Sequence, residues 1–332
     1  IFLILVLLVS CQKDFPKLLN SIPNPPLLPN AKYLKNFHIV TTNNFKGALA
    51  SKSEVKYKGS SAIEVGGAKL TKSYIDIIRD KTSNNTLVLD AGYIIDRSNS
   101  NQHIEQTLSY YNSINYDGVL YTENELLHLK DSEVKLPFIN SNIFDLSTNN
   151  VITKMGTTPY RIKVINGVRI AIVGVTTYKK EGDVKINAHI FDDPVARLIA
   201  LRNELKSKSD IIVAIIHHQS QKDLQALVNR FSPGLVDIIV TGNSLKENEN
   251  KIPNLSNKVG NHLAIGSFSY DLKRKKLAST YQIYPRVKIC SSFFEITMDC
   301  NTDESDKDRM WKLRESKFKQ IPAQFFGEEI SL

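Results

Sequence analysis

The sequence predicts an α/β protein built on a parallel sheet enclosed by helices, and three observations predict it. Residues 210–219 read DIIVAIIHHQ, six consecutive apolar residues from Ile211 to Ile216 that run straight into His217 and His218. A short β-branched run bounded by polar residues is a strand buried on both faces, as in parallel sheets covered by helices. Strand-like runs then alternate with stretches of helical period along most of the chain. Finally, 42% hydrophobic content over 332 residues suffices for one large core, or one large core plus a small appendage.

Taken in order, residues 1–9 are an unbroken apolar run of the length of a signal-peptide core, too short to span a bilayer. The run ends in Leu8-Val9-Ser10-Cys11, which resembles a bacterial lipobox and implies lipidation of Cys11. With no Met or basic stretch ahead of it, the sequence is expected to begin inside the signal peptide. The alternative is a buried N-terminal strand with an incidental cysteine. Within residues 12–36, the stretch 12–30 with SIPNPPLLPN cannot be regular structure, because each proline removes a donor and fixes φ. Residues 12–36 read as a tether holding a globular body, residues 37–285, off a membrane of the bacterial cell envelope.

The body opens on a strand at residues 37–42, FHIVTT, followed by NNFKG. Gly66-Gly67-Ala68 begins a helix in which Leu70, Tyr74, Ile77 and Ile78 share a face. A strand TLVLD at 86–90 follows, then a helix at 103–114 and strand-like YDGVLY and LPFINSN. Residues 160–176 carry a hairpin signature with its turn at Asn166-Gly167. Asp192 or Asp193 caps the next helix, with Pro194 in its first turn, and this helix leads into the double-histidine strand. A helix at 221–231 and VDIIVTGN repeat the unit, and two last strands are expected at 262–270 and 278–284.

In open sheets of this kind, ligands collect beyond the carboxyl ends of the strands. His217 and His218 therefore mark a site, unless one ring is turned into the core and hydrogen-bonded while the other is solvated. Ser220 has no matched acid or elbow glycines, and no phosphate-cradling glycine motif occurs. Asp90, ending its strand, reads as structural. The net charge of +9 suits an anionic ligand or surface, yet Lys and Arg are scattered among acids, as in KSKSD and DLKRKKL. Without a basic block interleaved with aromatics, a nucleic-acid partner is disfavoured, and a generally basic solvated surface is the simpler reading.

The phrases GGAKL, TLVLDAG, YDGVLY, PFINSNI, VRIAIVGVTT, FDDPVARLIALRNELKSKSDIIVAIIHH and VDIIVTGNS occur in one order over residues 37–285. In that order they resemble the N-terminal domain of the 5′-nucleotidases, within the calcineurin-like metallophosphoesterases. The resemblance implies a four-layered αββα metallophosphoesterase-like sandwich with two divalent metals at the strand ends. It also implies departures at the ligand positions. Where the family has Asp-x-His after the first strand, this chain has Asn44 and Lys46; where a bridging Asp follows TLVLDAG, it has Tyr93. The family's Asn-His-Glu falls on Glu123, Asn124 and Glu125, its fifth-strand His on His217, and its closing Gly-His on Gly242-Asn243.

A two-metal phosphoesterase needs anionic oxygens and neutral imidazoles to hold two cations about 3.5–4 Å apart. A phenol at Tyr93 removes charge and fills volume, and Lys46 brings a cation where cations should bind. The expectation is a degenerate site with no cofactor. His217, His218, Glu123 and Glu125 could still hold one Zn, Mn or Mg, and His217 and Asn124 are the candidates for any catalytic role. The implied function is a membrane-anchored binding or scaffold lipoprotein with an unknown protein or anionic ligand as partner. The alternatives are a weak metal-dependent phosphoesterase and an adhesin for polyanions.

Residues 286–332 form an extension. Cys290 and Cys300 flank SSFFEITMD and either close a disulfide loop or remain two buried thiols. Residues 303–320 read as a charged helix. The family's large C-terminal domain, which carries its aromatic base clamp, has no room within these residues. Asn44, Lys46, Tyr93, Glu123, Asn124, His217 and Asn243 are expected to converge on one pocket.

Overall fold

The computed structural model describes residues 32–54, 63–129, 132–177, 185–186, 188–218, 220–243, 245–246, 248, 251–256, 260–294 and 313–315. Two sheets form the centre. One runs Lys276–Leu277, His262–Asp271, Leu34–Thr42, Thr86–Asp90, Gly118–Leu120, Phe138–Ile139, with Gln282–Lys288 also paired to His262–Asp271. The other runs Asn254–Ser256, Ile238–Thr241, Ile211–His218, Val168–Thr177, Tyr160–Ile165. Four of the strands in the first sheet and four in the second pair in parallel, so their carboxyl ends gather on one rim.

Residue alternation builds the layers. In the double-histidine strand, Ile211, Val213 and Ile215 face the first sheet, packing with Phe37, Ile39, Leu87 and Leu89. Ile212, Ala214 and Ile216 face the other way, onto Leu198, Leu201 and Leu205 of helix Pro194–Leu205 and Leu224, Leu227 and Val228 of helix Gln221–Asn229. Helices Gly67–Lys81 and Asn101–Ile114 cover the far side of the first sheet through Leu70, Tyr74, Ile75, Ile78, Ile104 and Leu108. Each fully buried aliphatic is worth roughly 1.5–3 kcal/mol, so this core dominates stability. The result is the expected helix–sheet–sheet–helix sandwich.

Local chemistry sets the element ends. Asp193 accepts from the Val195 and Ala196 amides, with Pro194 in the first turn. Asn166 and Gly167 both take positive φ, 50° and 81°, as a two-residue hairpin requires. Among the described residues no helix is long and apolar enough to cross a membrane.

Three expectations are corrected. The first strand starts at Leu34, because pairing with Asp271 extends it ahead of the apolar run. The last body strand is Gln282–Lys288 in place of 278–284. It runs through Pro285 because it pairs on one side only, and two residues there oppose one between Leu263 and Ile265, a bulge that accommodates proline. Within the segment expected to be a helical extension, Leu313–Glu315 is a strand paired with Ser292–Phe294, so backbone pairing has overridden helical periodicity there. The rest of residues 303–320, Cys11, Cys300 and residues 12–31 lie outside the described residues.

Candidate functional site

The strand-end rim is assembled from loops that zip together through their backbones. After the first strand, Asn44, Lys46 and Gly47 donate their amides to the carbonyls of Gly92, Tyr93 and Ile94 at 3.0, 3.0 and 2.8 Å. Phe45 anchors this loop, stacked 5.1 Å from Tyr110. Gly92 is required by geometry: its φ is 89°, and a Cβ would lie 2.4 Å from the Thr122 methyl. Tyr93 follows at φ 60°, an uncommon setting for a bulky side chain that costs on the order of 1–3 kcal/mol.

That backbone aims the phenol inward. The Tyr93 ring stacks on the His217 imidazole with centroids 4.5 Å apart and planes 21° from parallel. Its hydroxyl donates to Glu123 Oε1 at 2.8 Å, and Thr176 Oγ1 donates to Glu123 Oε2 at 3.0 Å. Glu123 and His217 are buried, at 1% and 4% exposure. Neither His217 ring nitrogen meets full hydrogen-bond geometry, although the Ala91 backbone interacts with the ring. Burial lowers its pKa below the ordinary imidazole value, against the weaker opposing pull of the Glu123 carboxylate, so the ring is neutral at pH 7.

The neighbouring positions are engaged differently. Asn43 and Asn44 donate from Nδ2 to the Gly242 carbonyl at 2.6 and 3.2 Å. Asn243 Nδ2 donates to the His218 carbonyl at 2.7 Å. Asn124 Nδ2 donates to the Ile95 carbonyl at 2.9 Å. Lys46 reaches the group through its backbone bond to Tyr93. Glu125 accepts from the Ile94 and Thr122 amides at 2.9 and 3.1 Å and from the Thr122 hydroxyl, a capping box for the short helix Glu123–His128. Burial raises its pKa. His218 lies on the helix side of its strand, where Nδ1 accepts the Ser220 amide at 2.9 Å. Ser220 caps the following helix by accepting the Asp223 amide.

All seven sequence-selected positions thus gather on the same rim, with the Tyr93 side chain touching both Glu123 and His217. Asn124, Glu125 and His218 each bond local backbone, and Glu125 also takes the Thr122 hydroxyl. Sequence reasoning missed Thr176, Asn43 and a buried cluster beneath the rim. There Asp90 accepts from Thr42 Oγ1, the Gly92 amide and Tyr111 Oη at 2.5, 2.8 and 3.1 Å, and Thr42 also meets Tyr116 Oη at 2.8 Å. Burial pushes the Asp90 pKa up to about 7. Only the isolated position of Asp90 at a strand end signalled this cluster. Among the described residues no group of three or more His, Cys, Asp or Glu is arranged to hold a metal.

The two-sheet αββα core with its polar groups on the strand-end rim is the fold of solved 5′-nucleotidase structures. An NAD nucleotidase from Haemophilus influenzae is similar, with TM-score 0.59 at 19% identity over 77% of this chain and 50% of that one. A 5′-nucleotidase precursor from Thermus thermophilus gives TM-score 0.60 at 19% identity, covering 75% and 54%. A sulfate thiohydrolase from Thermus thermophilus gives 0.56 at 14% identity, covering 77% and 57%. Likeness at these identities establishes the fold, and the chain spans about half the length of these structures. No protein-family model and no curated protein matches the chain.

Proposed function

We propose that this chain is a metallophosphoesterase-like scaffold whose dinuclear metal position is closed, and that it serves as a binding protein held on the extracytoplasmic side of a bacterial membrane by a lipid on Cys11. One observation carries the reading: Tyr93 lies over His217 and hydrogen-bonds Glu123. The donors do not fit two cations. Both Glu123 oxygens receive hydroxyl donors, Glu125 caps a helix, His218 Nδ1 accepts a backbone amide, and amides stand at Asn44 and Asn243. Carboxylates and free imidazoles in convergent geometry are what a phosphoryl-transfer centre requires.

The test is turnover of AMP and of a generic aryl phosphate, each with added Mn, Zn or Mg. The expected result is no metal-dependent hydrolysis above that of His217→Ala. Turnover that needs a metal and disappears in His217→Ala overturns the reading. Mass spectrometry of the N-terminal peptide tests the anchor, with diacylglyceryl on Cys11 expected and an unmodified internal Cys11 against it.

The neutral His217 ring, buried near the Glu123 carboxylate, favours one second reading, a weak phosphoesterase holding a single divalent metal there after Tyr93 swings aside. The same turnover assay separates the two. Cys290 carries a buried thiol 3.5 Å from the Tyr74 hydroxyl, which goes against the expected Cys290–Cys300 disulfide; a non-reducing peptide map reads the pairing directly.

A further inference from the structure

We infer that the end of the sandwich opposite the histidine rim is a docking face for an anionic lipid surface. The two sheets meet there at the amino ends of their parallel strands. Asn166 of the hairpin turn donates to the Asn36 carbonyl at 2.9 Å, drawing the second sheet alongside the start of the first strand. Between them opens a cleft of about 580 Å³ lined by Arg169, Arg202, Lys206, Asp210, Tyr270 and Lys275.

The charges on this end do not cancel. Arg169 pairs with Asp210 at 2.8 Å, Arg202 with Asp237 at 3.6 Å and Arg274 with Asp271 at 3.8 Å. Lys206, Lys275 and Lys276 are exposed and make no ion pair among the described residues, and Lys273 sits over the Tyr33 ring 4.5 Å from its centroid. The turn that joins His262–Asp271 to Lys276–Leu277 is Leu-Lys-Arg-Lys, and all four residues are exposed. Leu272 at 44% and Tyr33 at 39% exposure stand among these lysines.

Two facts favour a lipid surface over a soluble polyanion. An exposed leucine and an amphipathic tyrosine among cations suit a headgroup region, where apolar insertion adds to charge attraction. The chain also enters the body here: Leu34 pairs with Asp271, and the Tyr33 carbonyl accepts the Leu272 amide at 2.9 Å. Residues 1–31, with Cys11 and the apolar run, are joined to the body on this face, so a membrane holding Cys11 is within reach of these lysines. The histidine rim then points away from the bilayer, toward solvent and partners.

This face rests on the membrane reading above, and the test distinguishes their failures. The full unacylated chain is co-sedimented with vesicles of phosphatidylcholine alone and of phosphatidylcholine mixed with phosphatidylglycerol. At low salt we expect a preference of roughly tenfold or more for the anionic vesicles, from several lysines acting together. The preference disappears in Lys206→Glu/Lys273→Glu/Lys275→Glu/Lys276→Glu and persists in Lys222→Glu/Lys246→Glu, which reverses exposed charges near the other rim. Equal binding to both vesicles, or a preference that survives the fourfold variant, overturns the docking face. So does heparin binding that the fourfold variant abolishes when vesicles show no preference. An anionic preference with Cys11 unmodified in cells removes the anchor and leaves the face standing; acylated Cys11 without that preference does the reverse.

Discussion

The phenol of Tyr93 and the imidazole of His217 lie face to face, 4.5 Å between centroids, with the phenol hydroxyl tied to Glu123 at 2.8 Å. One side chain thereby covers the ring and engages one oxygen of the Glu123 carboxylate, whose other oxygen takes the Thr176 hydroxyl. The backbone pays for the arrangement by holding a bulky residue at φ 60°.

Truncating this side chain is expected to act in two steps. Tyr93→Phe loses one hydrogen bond to Glu123, about 1 kcal/mol, and keeps the stack. Tyr93→Ala also loses the ring pair, a further 0.5–1.5 kcal/mol, roughly 2 kcal/mol in all. Urea denaturation at pH 7 measures both, and a Phe variant less stable than the Ala variant contradicts the stacking account.

Asp90 supplies a pH dependence of stability with a definite sign. Its folded pKa of about 7 lies above the ordinary 3.8 because burial disfavours the charge. Between those values the native state keeps a proton that the unfolded chain has released. The contribution is thus fully present below about pH 4 and is lost as pH rises to about 7, at no more than about 1.4 kcal/mol per pH unit. His38 acts in the opposite sense: burial lowers its pKa to about 4, so its contribution is lost as pH falls below its ordinary value of 6.5. The difference between wild type and Asp90→Asn isolates the carboxylate. That difference is expected to change steadily between about pH 4 and 7, and a flat difference refutes it.

Glu125 is expected to behave as a helix cap. Glu125→Ala leaves the buried Ile94 and Thr122 amides without their acceptor, a cost of roughly 2–3 kcal/mol by chemical denaturation. Its effect on any metal retained by the protein is expected to be nil, because its oxygens are taken by the Ile94 and Thr122 amides and the Thr122 hydroxyl.

At Gly92 a methyl group meets Thr122 at 2.4 Å on a backbone of φ 89°. Gly92→Ala is therefore expected to destabilise by more than about 1 kcal/mol, with loss of the Tyr93 geometry. A neutral thermal melt counts against the turn as described.

Much of this architecture was legible in particular residues. The run Ile211–Ile216 reported a strand buried on both faces because both neighbours are apolar layers, and Asn166-Gly167 reported its hairpin because few other pairs accept two positive φ values. The gathering of Asn44, Tyr93, Glu123, His217 and Asn243 on one rim was legible through their places after successive strands. Their bonding was not. Sequence spacing says nothing of which way a side chain turns, so Glu125 and His218 read as ligands although their atoms serve a helix cap and a loop amide. Thr176 and the Asp90 cluster are brought into play by contacts across 53, 48 and 21 positions, which no local pattern encodes. The strand at Leu313–Glu315 was missed for the same reason, since its partner lies at Ser292–Phe294.

The claim that Tyr93 closes the metal position is tested most directly by elemental analysis of the protein purified from Mn- and Zn-supplemented medium, alongside His217→Ala. The expected result is metal far below one equivalent in both proteins. Near-stoichiometric Mn or Zn in the wild type, absent from His217→Ala, would contradict the account.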